Sequence, residues 1–186
     1  MSRGNSLPFP YGDTMWQGDS NLISASQYTH LEGSTYEQID LRNGTNQRMT
    51  LRVVRNKSGG VLYKGRGVMF GVTAQWLGRK VRGYVSTLGG FGMPVDDQLT
   101  TSVKANDLFY VVEKGPAFVL AASLTTGATA LAQAQKLTFT TGGLLSKAGA
   151  GRYDLGQCME GTAVTAAVTG NRRCLVQIGG LFSDIE

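Results

Sequence analysis

Few residues in this chain have types suited to catalysis, and those few stand apart from one another. His30 is the only imidazole. An imidazole can serve as a general base near neutral pH, but it needs a partner to orient it. No cysteine or acidic pair accompanies His30, so it reads as an ordinary surface or arm residue. Asp96-Asp97 is the only adjacent carboxylate pair, and its place beside Pro94 suits a solvated turn better than a hydrolytic dyad. Gly60-Val-Leu-Tyr-Lys-Gly-Arg-Gly67 has the two glycines of a phosphate loop at the right spacing. Arg66 and Gly67 stand where a lysine and a magnesium-binding hydroxyl are required, so these glycines are expected to make hairpin turns. One His and two Cys do not supply an ordinary zinc site. Cys158 and Cys174 flank apolar strand residues and read as buried thiols, with a disulfide as the alternative. There is no Gly-x-Ser-x-Gly elbow. The expectation is a protein that is not an enzyme and holds no cofactor or metal.

The elements that would position any site are strands. Glycine accounts for 26 of 186 residues and charged residues for only 17%, and no helical face extends beyond about two turns, which is the pattern of a turn-rich all-β protein. Period-two apolar runs place strands at Arg48–Arg55, Gly60–Lys64, Gly67–Thr73, Lys80–Thr87, Leu108–Glu113, Ala117–Ala122, Gln135–Thr140, Leu144–Lys147, Arg152–Met159 and Arg173–Ile178. Thr87–Leu99 reads as a loop, Lys114-Gly-Pro116 as a chain-reversing turn and Gly142-Gly143 as another turn. Only 128–135 and 161–168 could form a turn of helix. Cys174, Val176 and Ile178 alternate with Arg173, Leu175 and Gln177, so the last strand is half-buried and closes a sheet. The expected architecture is a compact β-barrel or sandwich of short antiparallel strands over residues 39–186, preceded by an extended N-terminal arm over residues 1–38. No apolar run is long enough for a membrane span, and no signal peptide is read at the N-terminus.

The charge is uneven. The formal net charge is +5, yet Leu41–Val95 carries ten basic residues and no Asp or Glu, while the rest of the chain has eight basic and thirteen acidic residues. Such a block suits an acidic partner surface or a polyanion, unless folding brings acids from elsewhere beside it. Tyr63, Phe70, Trp76 and Tyr84 are interleaved with the basic residues, so a nucleic-acid-binding barrel is the second reading. The arm has Phe9, Tyr11 and Trp16 among Gly and Pro, a composition that suits anchoring on a neighbouring surface or wrapping over its own barrel. The candidate partner-binding residues are therefore Phe9, Tyr11, Trp16, Arg42, Arg48, Arg52 and Arg55.

The C-terminal half carries a family pattern. Asp107-Leu-Phe-Tyr-Val-Val112 is followed by Lys136-Leu-Thr-Phe-Thr-Thr-Gly-Gly-Leu-Leu145, Gly156-Gln-Cys-Met-Glu160 and Cys174-Leu-Val-Gln-Ile178. Over roughly residues 106–180 this resembles the capsid cement, or head decoration, proteins of tailed bacteriophages. The resemblance implies a β domain on the capsid exterior of a virion, self-association as a homotrimer, and the major capsid protein as partner. The arm could bridge subunits by strand addition. A tail or baseplate component is the remaining alternative.

Overall fold

A computed structural model describes residues 7–8, 29–41, 44–71, 78–85, 92–95, 99, 102–121, 136–148, 156–159 and 172–179. A 3₁₀ turn, Thr29–Leu31, precedes ten strands: β1 (Thr35–Ile39), β2 (Arg48–Asn56), β3 (Gly67–Phe70), β4 (Lys80–Gly83), β5 (Gly92–Pro94), β6 (Leu108–Ala121), β7 (Lys136–Phe139), β8 (Leu145–Lys147), β9 (Gly156–Cys158) and β10 (Arg172–Ile178). The protein is all-β. The strand order is β10-β9-β7-β8-β6-β2-β4-β3-β5, with β1 on β2. Because β10 also pairs with β6, the strands β6, β8, β7, β9 and β10 close into a five-stranded barrel. Most pairings are antiparallel; β2–β4 and β6–β8 are parallel. The closing role expected for the last strand holds: Cys174, Val176 and Ile178 are fully buried. Cys158 and Cys174 are buried thiols not joined in a disulfide.

The largest departure from the sequence reading concerns β6. Lys114-Gly-Pro116 does not reverse the chain; β6 runs through it as one strand of 14 residues. Leu51 pairs with Val112 but Thr50 pairs with Lys114, leaving Glu113 as one extra residue, a β-bulge. Gly115 has φ +107°, and a Cβ there would lie 2.7 Å from the Arg48 carbonyl oxygen and 2.7 Å from Met49 Cα. The turn-like residues thus mark a bend inside a strand. The extra residue also exchanges the two faces. Leu108, Tyr110 and Val112 face the larger core before it, whereas Ala117, Val119 and Ala121 face that core after it.

Beyond β6, the strands β2, β4, β3 and β5 form a second curl that returns to β6 through the Val95–Val111 bridge. Each contributes to a second core: Val54, Val81, Val68, Met93 and Val95, packed on Phe109 and Val111 of β6. Other differences are local. Gly92–Pro94 is a strand within the stretch read as a loop, since glycine and proline at its ends hide any alternation. Gly60–Lys64 is not a strand; it makes only an isolated bridge, Leu62–Val103, outside the named strands. The buried Asn56 amide instead shapes this stretch, donating to the carbonyls of Gly60 (2.8 Å), Val103 (3.1 Å) and Lys104 (3.0 Å), while its Oδ1 accepts from Ser58 N (2.9 Å). Gly67 opens β3 without any helix and packs on the Phe139 ring, so the phosphate-loop spacing is a packing pattern. Finally, β1 straddles the 38/39 boundary drawn between arm and domain, and Leu7 packs against the larger core.

Gly115→Ala is expected to cost at least about 2 kcal/mol, combining positive-φ strain with the clash on β2. Gly60→Ala, in open space, should stay within about 0.5 kcal/mol of wild type. Urea denaturation of both variants checks the contrast.

Candidate partner-binding surface

Strand alternation sorts the basic residues of β2. Arg48 and Arg52 occupy the face opposite Met49, Leu51 and Val53, whereas Arg55, three residues after Arg52, turns to the other side. Arg55 is 2% exposed. Its Nε donates to Glu32 Oε1 and its NH1 donates to the Asn106 carbonyl at 2.8 Å. Arg52 makes a bidentate pair with Glu113, from Nε at 3.0 Å and NH2 at 2.7 Å, and NH1 donates to the Gly33 carbonyl at 3.0 Å. Arg48 is largely exposed and lies 3.8 Å from Glu37.

Folding therefore brings three acids from outside the basic block, Glu32, Glu37 and Glu113, to three of its arginines. Of the four arginines proposed for partner contact, Arg55 is withdrawn into the core and Arg52 is committed to β6. Arg48 alone among those described remains at the surface, in a solvent-exposed pair with Glu37. Arg42, Phe9, Tyr11 and Trp16 lie outside the described residues. Elsewhere in the block, Lys57 Nζ donates to Asn106 Oδ1 at 2.6 Å, and the Arg66 guanidinium lies 5.4 Å from the Tyr63 ring centroid. The aromatics suggested for base stacking also separate. Tyr84 is buried against Phe139 with ring centroids 5.5 Å apart, Phe70 packs on the second core, and Trp76 lies outside the described residues. Tyr63 is exposed.

A surface missed in the sequence lies on β1. Its only partner among the described residues is β2, so among them its far edge is open. Asp40 N donates to the Gln47 carbonyl and Val53 N to the Ser34 carbonyl, so the inward-bonding positions of β1 are even-numbered. The backbone groups of Thr35 and Glu37 consequently point to the open edge. Just beyond, Ile39 is 57% and Leu41 72% exposed. The connection holding them out is ordered by Thr45 Oγ1 donating to Asp40 Oδ2 at 2.7 Å and by Asn46 N donating to the Asp40 carbonyl at 3.1 Å. An open edge flanked by two exposed aliphatics can accept an extended segment or pack on an apolar surface. The signal was the short Ile39-Asp-Leu41 alternation, which is too brief to stand out beside the long β2 run.

Among the described residues no group of three or more His, Cys, Asp or Glu is placed to hold a metal ion. No helix among them is long and apolar enough to cross a membrane. Compared with known proteins, the sequence matches no protein-family model and no curated protein. Among solved structures, the chain is similar to the N base of the head fiber gp8.5 in bacteriophage phi29, with 14% identity and a TM-score of 0.44 over 70% of this chain and 93% of that one.

Glu32→Ala is expected to destabilise the protein by about 3–5 kcal/mol, because it strands the buried Arg55 charge. Arg48→Ala should leave the melting temperature unchanged, its ion pair being solvent-exposed. Thermal unfolding of the two variants side by side tests this.

Proposed function

We propose that the chain is a structural virion protein: a capsid decoration, or cement, protein that binds the outer surface of a viral head and braces the major capsid protein lattice. The observation that carries this reading is the open β1 edge with Ile39 and Leu41 exposed beside it. A strand edge of this kind, ending in apolar side chains, suits attachment to a preformed protein surface. The barrel supports the same reading, because its own side chains fill its interior. Val119, Leu137, Phe139, Leu145, Cys174, Val176 and Ile178 are at most 1% exposed, so binding belongs to the outer surfaces. The resemblance of residues 106–180 to cement proteins adds to this, since its four segments fall on β6, β7 with β8, β9 and β10.

The charge contribution to binding is smaller than the composition suggests. With Arg52 and Arg55 engaged inside the fold, the exposed cations available to an acidic shell include Arg48 and Lys64. Attachment through the β1 edge would then be mainly apolar and backbone-mediated, with the cations steering approach.

The test is co-sedimentation of the protein with assembled heads lacking it, with occupancy read by electron microscopy. Burying one large aliphatic is worth roughly 1.5–3 kcal/mol, so Ile39→Ser with Leu41→Ser should weaken binding by about a hundredfold or more, with the melting temperature unchanged. Arg48→Glu with Lys64→Glu should slow association and lower its salt dependence while leaving occupancy at saturation intact. Full occupancy by the Ile39/Leu41 double variant would refute the edge as the attachment site.

A further inference from the structure

Gly83 ends β4, opposite Val68 of β3. Its φ is not left-handed, and an added Cβ would meet nothing nearer than Leu62 Cδ2 at 3.9 Å. Neither backbone conformation nor crowding requires glycine there. A strand glycine without such a reason leaves room in which another group can approach closely. The space it leaves belongs to a surface pocket of about 190 Å³ walled by Val61, Leu62, Tyr63, Arg66, Val68 and Gly142. That is below the ~300 Å³ at which small-molecule sites begin. It is the scale of one aromatic side chain, since a cavity of roughly 150 Å³ accepts benzene.

The walls specify the guest. Tyr63 is 54% and Val61 44% exposed at the mouth, so apolar surface is presented outward. Arg66 lies beside the Tyr63 ring; its NH1 reaches the Gly142 carbonyl only at 3.5 Å, and its Nε is buried without a hydrogen-bond partner. Among the described residues, the acids paired with the basic block reach Arg48, Arg52 and Arg55, and none is paired with Arg66 or Lys64. A hydrogen bond from Leu120 N to the Gly65 carbonyl at 2.7 Å fixes this loop on β6. With two such cations, Arg66 in its wall and Lys64 next to Tyr63 in the chain, the pocket suits an aromatic side chain flanked by carboxylates on both sides in its own sequence.

Two aromatics in the chain have an acid within three residues on both sides, Tyr110 and Trp16. Tyr110 is locked in the core. We infer that the pocket receives Trp16, in Asp13-Thr-Met-Trp-Gln-Gly-Asp19, from a second copy of the chain, with Asp13 or Asp19 meeting Arg66. Trp16 lies outside the described residues; Leu7 packs on the larger core, so the eight residue steps from Pro8 to Trp16 limit its reach to about 28 Å when extended, and the pocket it fills must belong to an adjacent copy within that distance. Plug and pocket lie on different parts of the chain, so the contact is head-to-tail and can close into a ring. The choice of a neighbouring copy rests on the reading of the chain as a lattice protein.

Analytical ultracentrifugation of the full chain tests this by complementation. Trp16→Ala retains a pocket without a plug, and Gly83→Val retains a plug without a pocket; valine suits a strand and meets only open space. Wild type should self-associate, each variant alone should do so at least tenfold more weakly, and an equimolar mixture should form one-to-one pairs. Tyr63→Ala and Arg66→Glu, at exposed or partly exposed positions, should behave as Gly83→Val does, so a misfolded Gly83 variant does not end the test. Wild type that stays monomeric, variants that associate as wild type does, or a mixture that forms no pairs would each overturn the inference. Heads bound normally by a chain that does not self-associate would overturn this inference alone. Self-association without head binding would instead overturn the cement reading.

Discussion

One strand serves two cores, and the rest of the structure depends on how it does so. The β6 strand pairs with β2 along its first half and with β10 along its second, and the extra residue at Glu113 lies where one partner gives way to the other. Without that residue, strict alternation would send Ala117, Val119 and Ala121 outward and turn Phe118 and Leu120 into the barrel. Gly115 makes the bend possible because it passes too close to Arg48 and Met49 for any side chain. The bulged residue is itself used: the Glu113 carboxylate clamps Arg52 of the neighbouring strand. Bend, face exchange and ion pair are three consequences of one insertion.

The electrostatics follow from the same long-range pairing. A chain segment without a single acid looks like a cationic face, but β1 carries Glu37 beside Arg48, and the turn before β1 delivers Glu32 to Arg55. The Glu32–Arg55 pair is buried, so it specifies where the residues entering β1 dock, and it leaves little field for a partner. What remains outside is a modest cationic contribution and two apolar features: the edge at Ile39 and Leu41, and the pocket beside Tyr63. The first lies at the end of β1 and the second between residues 61–66 and the strands β3 and β4.

The amino-acid sequence by itself determined the all-β class, the positions of β2, β7 and β10, the Gly142-Gly143 turn and the burial of the two cysteines as thiols. These rest on local physics: period-two alternation over several residues, and glycines where turns need them. The separation of Arg55 from Arg48 and Arg52 follows once β2 is placed, since residues three apart in a strand lie on opposite faces, but charge alone groups them together. The tertiary structure alone decided that Lys114-Gly-Pro116 bends a continuous strand, because a bulge and a reversing turn use the same residues and only the pairing partners distinguish them. It alone decided that β5 exists, since three residues bounded by glycine and proline have no period to read. It alone decided which arginines are neutralised, because their acids lie up to 61 positions away and sequence proximity carries no information about a contact made through a sheet.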